Sequence, residues 1–352
     1  MKKNSLDNSG IDVSCLGLGT MTFGEQNSES EACEQLDCAI DRGVNLIDTA
    51  EMYPVPPKKK TFTRTEQIVG NWIHSRKCRQ KIVLATKVVG PTLESRAMGS
   101  YIRDGVNHLS KKNIESALEG SLNRLKTETI DIYQIHWPDR IVNIFGQQGF
   151  KRPPNPETGN AKIPETLEVL ENLRKDGKIR SYGVSNETPW GIMQYISFAE
   201  KNCYGKIASI QNPYNLLNRT FEFGLAEISY RESVGLLAYS PLAFGMLTGK
   251  YLDGKKPARA RLTLYSRFQR YQTKNAIKAT KQYLRLAREN GLDPSQMALA
   301  FARTRPFIAS VLVGATSVNQ LKTNLDSTEI KLSEEVIKGI EEIHSSIPNP
   351  CP

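Results

Sequence analysis

No run of eighteen apolar residues occurs anywhere in this chain, so a transmembrane helix is not expected. The opening segment MKKNSLDNSGIDVS carries two lysines but no apolar stretch behind them. It does not read as a secretory signal, and the protein is expected to stay in the cytoplasm. Cysteine is scarce and scattered: Cys15, Cys33, Cys38, Cys78, Cys203 and Cys351 form no CxxC pair. A disulfide framework belongs to short secreted chains, so none is expected here. Histidine is scarcer still. There are four, none at ligand spacing from a cysteine, which argues against a zinc site. The dinucleotide-binding fingerprint GxGxxG is missing as well. Gly17-Leu18-Gly19 continues to Gly24, which is the wrong spacing, and the strand–turn–helix context is lacking.

What is present suits a soluble globular protein. Of 352 residues, 39% are apolar and 24% charged, enough to build a sizeable core under a solvated surface. The formal net charge is +10. No zinc-finger, KH or RRM signature accompanies it, so nucleic acid is not the expected partner. The densest run, Lys58-Lys59-Lys60, follows Pro56-Pro57 in a loop. Cations spread over helix faces account for most of the charge, and a subset suits the attraction of an anionic cofactor.

Short apolar runs alternate with longer amphipathic ones from end to end. The predicted strands are Leu16–Leu18, Val44–Asp48, Ile82–Lys87, Ile130–His136, Ile179–Ser185, Ser209–Asn212, Gly235–Tyr239 and Val311–Val313. Several, such as Ile82-Val83-Leu84-Ala85, are continuously apolar, as befits parallel strands covered on both faces. Between them, Ser28–Asp41, Asn113–Leu125, Pro164–Lys175, Pro189–Lys201, Gly224–Ser233, Asn275–Asn290, Pro294–Thr304 and Ser317–Asp326 carry helical spacing and end signals. Eight strand–helix units predict an α/β fold, the (β/α)8 TIM barrel, over a single domain of residues 1–352. An open doubly wound sheet is the alternative. The barrel is preferred because polar residues collect at the C-terminal ends of strands all the way round, from Asp48 to Gly314. Two long loops, about 88–111 and 138–163, are expected over that face and should shape substrate access.

Four side chains at those ends suit acid catalysis: Asp48 and Tyr53, Lys87, and His136. Singly, each has a plainer reading. Asp48 could cap a turn, Tyr53 could pack, Lys87 could be a surface cation and His136 a core residue. Successive barrel strands would bring them to one mouth. Reducing a carbonyl takes a hydride at carbon and a proton at oxygen. A phenol of pKa near 10 holds its proton at neutral pH. Lys87 would lower that pKa, Asp48 would keep Lys87 charged, and His136 would donate to the same oxygen. The hydride must come from a carrier, since no side chain supplies one.

The segments DTAEMY at Asp48–Tyr53, ATK at Ala85–Lys87 and QIHWP at Gln134–Pro138 resemble the tetrad motifs of the aldo-keto reductases. The resemblance extends to GLGTMTFG at Gly17–Gly24, GVSN at Gly183–Asn186, QNPYN at Gln211–Asn215, YSPLAFGMLTGKY at Tyr239–Tyr251 and VLVGATSVNQL at Val311–Leu321. Within that family the chain is most similar to bacterial Tas-like members, and more distantly to voltage-gated potassium-channel β subunits. The resemblance implies NADPH-dependent reduction of an aldehyde or ketone, with NADPH/NADP as cofactor. It also implies a cofactor seat. Gly19 and Thr20 belong to it. Ser185, Asn186 and Gln211 would bond the nicotinamide carboxamide, with Tyr239 stacked on the ring. Ser240, Pro241, Leu242, Gly245, Leu247 and Lys250 would wrap the pyrophosphate and ribose, and Gly314, Thr316, Gln320 and Asn324 would hold the adenosine half. Lys250 and Arg267 are the expected cationic partners of the 2′-phosphate, with Arg261 a rival to Arg267. Trp137 is expected on the substrate wall, with Phe23, Met52 and Tyr53 nearby. An NADPH-holding regulatory module with little turnover is the alternative function, and a Schiff-base enzyme acting through Lys87 a further one.

Overall fold

The computed structural model describes residues 1–93, 98–150 and 162–352. After a hairpin of β1 (Lys3–Leu6) and β2 (Ile11–Ser14), eight strands form one ring. They are β3 (Leu16–Gly19), β4 (Leu46–Asp48), β5 (Val83–Val88), β6 (Ile130–Ile135), β7 (Ile179–Ser185), β8 (Ser209–Gln211), β9 (Gly235–Ala238) and β10 (Ile308–Val313). Every neighbouring pair in the ring is parallel, and β10 pairs with both β3 and β9 to close it. This is the expected (β/α)8 barrel. The fourth strand in chain order is shorter than its apolar run, and the last extends back to Ile308.

Helices wrap the ring: α1 (Glu29–Asp41), α2 (Arg64–Arg76), α3 (Lys111–Leu125), α4 (Ile163–Lys175), α5 (Pro189–Lys201), α6 (Leu225–Arg231), the short α7 (Arg261–Leu264), α8 (Lys274–Glu289), α9 (Pro294–Arg303), α10 (Val318–Asp326) and α11 (Glu334–Ser346). Local chemistry sets several starts. Ser28 accepts from the Glu31 N–H while the Glu31 carboxylate returns to the Ser28 N–H, a full capping box. Asp293 caps α9 ahead of Pro294 at its first turn. Three helices were not expected. α2 begins after Thr63 in a left-handed conformation with no side-chain cap, so it carries no start signal. α7 is a single turn, too short to show a period. α11 begins with a capping serine, Ser333, a start signal that the sequence does carry.

The N-terminal hairpin was also unexpected, and it closes one end of the barrel. Leu6, Ile11 and Val13 are buried against inward-facing Leu46, Val83, Ala85, Ile132, Ala208, Leu237, Ala309 and Leu312. Asn8 donates to the carbonyls of Glu232 and Ser233, ahead of β9, and Asn4 to that of Ala309 in β10. The hairpin thus lies across the N-terminal ends of the strands. Alternation then positions the other end. Side chains two apart in a strand share a face, so Leu46 and Asp48, Ala85 and Lys87, and Ile132 and Gln134 point inward in successive layers. The lower layer is apolar and the upper one polar.

The described parts of both long loops form a cap beyond the upper layer. Thr92 Oγ1 donates to Gly105 O at 2.8 Å and Asn107 Nδ2 to Gly99 O at 2.7 Å. Met52, Val89, Met98, Ile102, Trp137 and Ile144 bury each other in a small apolar cluster separate from the main core. Part of the second loop, including Pro153, Pro154 and Pro156, lies outside the described residues. Among the described residues no helix is long and apolar enough to cross a membrane.

Leu6 is fully buried at the barrel floor. Leu6→Ala is expected to destabilise the fold by about 2–5 kcal/mol, through lost burial and the cavity left behind. Urea denaturation measures this, and an unchanged midpoint would show that the hairpin is not part of the cooperative unit.

Candidate active site

The upper layer of the barrel is a buried polar network centred on Asp48. Lys87 Nζ donates to Asp48 Oδ2 at 2.7 Å and to Thr49 O at 2.7 Å. The other carboxylate oxygen accepts from Gln211 Nε2 at 2.8 Å and from Gln134 Nε2 at 3.3 Å. Lys87 is wholly buried and Asp48 nearly so. Such a pair persists away from water only when its remaining donors and acceptors are met, and here they are. Gln134 was not singled out from the sequence. Its signal was available, because it stands two residues before His136 on one strand face.

Tyr53 and His136 form the next level. Their rings meet edge to face, with centroids 5.7 Å apart, and Lys87 Nζ lies 5.0 Å from the centre of the Tyr53 ring. The four expected tetrad residues are therefore brought together, from the ends of three adjacent strands. Burial pushes the Tyr53 phenol well above its ordinary range, the Asp48 carboxylate pushes the same way, and Arg261 opposes both. The expectation that Lys87 depresses this phenol is not met in this arrangement. Its charge is balanced by Asp48 at hydrogen-bond distance, and burial also pulls the Lys87 ammonium downward against that attraction. Burial, and then the Lys87 charge, hold His136 far below the ordinary imidazole range, so its ring is neutral. His136 Nδ1 is buried without a hydrogen-bond partner.

Tyr53, His136 and Asp48 open onto a cavity of about 640 Å³, a size typical of cofactor and ligand sites. Its wall includes Gly19, Thr20, Ser185, Asn186, Gln211, Tyr239, Ser240, Pro241, Leu242, Gly245, Lys250, Arg267, Gly314, Thr316, Gln320 and Asn324. Three residues expected at its wall, Leu247, Trp137 and Phe23, do not line it. Leu247 is buried in the main core. Trp137 is buried beneath the cap, where its indole Nε1 donates to Pro91 O at 2.9 Å and its ring packs on Phe145. Met52, Met98 and Phe145 form the wall in its place. Phe23 is likewise buried in the main core.

The cavity suits a large anion. Its lining carries four cations, Lys250, Arg261, Arg267 and Arg270, against one carboxylate, Asp48, which is already paired. Burial lowers the Lys250 ammonium, and the Arg261 charge adds to it. No carboxylate figures among the charges acting on either. Arg261 rests its guanidinium 5.5 Å from the Phe244 ring and 5.7 Å from the Phe268 ring. Arg267 lies 5.9 Å from the same Phe268 ring and within electrostatic reach of Tyr101 on the first long loop. The loop after β9 turns through three consecutive left-handed residues, Ala243, Phe244 and Gly245. Such a conformation is costly outside glycine and clusters at binding sites.

The amide groups are equally specific. Gln211 gives its amide hydrogens to Asp48 and to Gln134 Oε1. Asn186 gives its own to His136 O and Ser185 Oγ, and its Oδ1 accepts from the Tyr239 hydroxyl at 2.7 Å. Each can therefore offer a ligand only a carbonyl oxygen, which fits the amino group of a primary amide.

Comparison with known proteins agrees with this architecture. The model of the aldo/keto reductase family matches residues 15–345. The chain belongs to that family. Its relatives include Protein tas of Escherichia coli (strain K12), 51% identical over 352 residues that make up 100% of both chains. The aldo-keto reductase of Babesia bovis is 35% identical over 277 residues, 75% of this chain and 96% of its own. The uncharacterized oxidoreductase YrpG of Bacillus subtilis (strain 168) is 32% identical over 351 residues, 97% of this chain and 96% of its own. This aldo/keto reductase is accordingly an oxidoreductase built on a closed barrel.

The neutral, buried His136 of the aldo/keto reductase makes stability depend on pH. The unfolded imidazole takes up a proton near pH 6.5, which the folded one refuses. Stability is therefore complete above about pH 6.5 and falls by about 1.4 kcal/mol per unit as pH drops below it. Urea denaturation between about pH 7 and pH 5 checks this, with His136→Asn expected to flatten the dependence by one proton. Parallel curves for the two proteins would mean that His136 titrates normally.

Proposed function

We propose that this protein reduces an aldehyde or ketone to the alcohol, with NADPH as cofactor and Tyr53 as proton donor. The observation that carries the reading is the meeting of Tyr53 and His136 on the cavity wall, directly above the buried Lys87–Asp48 pair. Bound NADPH would supply the hydride that the carbonyl carbon receives. The oxygen then becomes an alkoxide, a stronger base than a phenolate. Tyr53, which burial keeps protonated, would give its proton to that oxygen. His136 supports the same oxygen. With Nδ1 unpartnered and the ring neutral, the proton is better placed on Nε2, which makes that nitrogen a donor. The Lys87 ammonium, held by Asp48 and 5.0 Å from the centre of the Tyr53 ring, would stabilise the negative charge that Tyr53 takes on as it gives up its proton.

The cofactor seat divides into three parts. The acceptor oxygens of Asn186 and Gln211, beside Ser185, suit the nicotinamide carboxamide, and Tyr239 suits the ring. The loop from Ser240 to Lys250, with Gly245, suits the pyrophosphate. Gly19, Thr20, Gly314, Thr316, Gln320 and Asn324 suit the remainder. For the 2′-phosphate we take Lys250 with Arg261, since the Arg261 charge acts on Lys250 and no carboxylate figures among the charges acting on either; Arg267 lines the same cavity and is the rival. The carbonyl compound would lie against Met52, Met98 and Phe145.

Tyr53→Phe is expected to lower turnover of NADPH with an aldehyde by about 10²–10⁴-fold, the usual worth of a positioned acid. NADPH binding, followed by fluorescence, should stay within about twofold. Undiminished turnover would assign the donor elsewhere. Arg261→Ala is expected to weaken NADPH about tenfold or more and NADH little, as befits a lost charge-assisted bond. Arg267→Ala should not discriminate between the two. The reverse pattern in paired titrations would restore Arg267 to the 2′-phosphate.

A further inference from the structure

Glu51 stands between Asp48 and Tyr53, yet it takes no part in the network just described. Its side chain is 2% exposed. Its carboxylate accepts three N–H groups: Arg103 Nη1 at 2.8 Å, Arg103 Nη2 at 2.9 Å and the Val89 backbone N–H at 2.7 Å. Its own backbone N–H reaches Lys87 O at 3.3 Å. A forked guanidinium–carboxylate pair is the most directional ion pair available to side chains. This one joins the two ends of the first long loop, since Val89 opens the loop and Arg103 lies near its close. Both attachment points converge on the segment that carries Tyr53.

The loop held in this way is part of the cavity wall. Met98 is 6% exposed and faces the cavity from the loop, while Met52, next to Glu51, is 2% exposed and faces it from the tetrad segment. The pair therefore ties two methionine walls together beside the donor. Arg103 and Asp104 are both left-handed, at φ 45° and 53°. Neither is a glycine, so the backbone holds a strained turn that brings Arg103 to Glu51. Nothing in the barrel requires this, because the main core closes without the cap cluster.

We infer that the pair of buried Glu51 with Arg103 is a latch that fixes the wall of the carbonyl pocket, so that Arg103, which does not itself line the cavity, is a positioning residue for substrate choice. The class of substrate it favours is a carbonyl compound with a flat, apolar body, which gains contact with the thioethers of Met52 and Met98. The inference rests on the carbonyl-reductase reading of the same site.

The test compares the protein with Arg103→Met, Arg103→Lys and Met98→Ala. Two probes are used, 4-nitrobenzaldehyde and propanal, each with NADPH, and hydrogen exchange is followed in residues 89–109. Arg103→Met is expected to raise KM for 4-nitrobenzaldehyde about tenfold, to change kcat and the propanal KM by less than about threefold, and to speed exchange across the loop. Arg103→Lys, which keeps the charge but not the fork, should recover part of both effects. Met98→Ala keeps the latch, so it should shift the aldehyde preference with exchange unchanged, and it serves if Arg103→Met does not fold. Unchanged exchange in Arg103→Met would overturn the latch. Faster exchange with an unaltered aldehyde preference would overturn its role in selection. If the unmodified protein reduces neither aldehyde, the reductase reading fails and takes the selectivity claim with it, while exchange still decides the latch.

Discussion

A lysine and an aspartate without access to water set the terms for the rest of this molecule. Moving either charge out of solvent costs on the order of several kcal/mol, and their attraction offsets that only in good geometry. The geometry is supplied from around the ring. Asp48 ends β4, Lys87 lies in β5, Gln134 in β6 and Gln211 in β8, while Thr49 lends a backbone carbonyl. No open sheet brings four strand ends to one point in this way. The network and the barrel thus depend on each other: closure satisfies the pair, and the pair penalises any slip of strand register that would turn Lys87 or Asp48 outward.

Much of this was legible in the sequence for a physical reason. Parallel strands buried on both faces read as continuous apolar runs, and a lysine or aspartate ending such a run stands out against it. Asp48, Lys87 and His136 were visible on those grounds, and the motif order supplied most of the residues that line the cavity. What escaped detection lacked a local signature. The hairpin of β1 and β2 alternates short polar and apolar residues near a terminus, and its worth lies in distant contacts with Leu237 and Ala309. Gln134 is the exception, because its place two residues before His136 on one strand face was a usable signal. Trp137 was expected on the substrate wall because it follows His136. In a strand-like segment, neighbours face opposite ways, so adjacency was the reason it should point elsewhere.

The reading of Arg267 and Arg261 shows another limit. Both lie in a loop without regular periodicity, where spacing alone cannot say which side chain turns inward. Both side chains reach the same cavity and the same Phe268 ring; Arg261 adds Phe244 and acts on Lys250, while Arg267 acts on Tyr101. The phenol of Tyr53 teaches a related lesson about charge. Proximity of a cation to a phenol does not ensure a lowered pKa when that cation is already neutralised by a closer carboxylate.

The hairpin across the barrel floor also gives the molecule a direction. Leu6, Ile11 and Val13 pack beneath Leu46, Val83 and Ile132, so that end of the ring is filled with apolar side chains. The polar upper layer and the cavity it borders lie at the opposite end. A change in the hairpin therefore reaches the site through strand packing, as a matter of stability, and not by contact with anything the cavity holds.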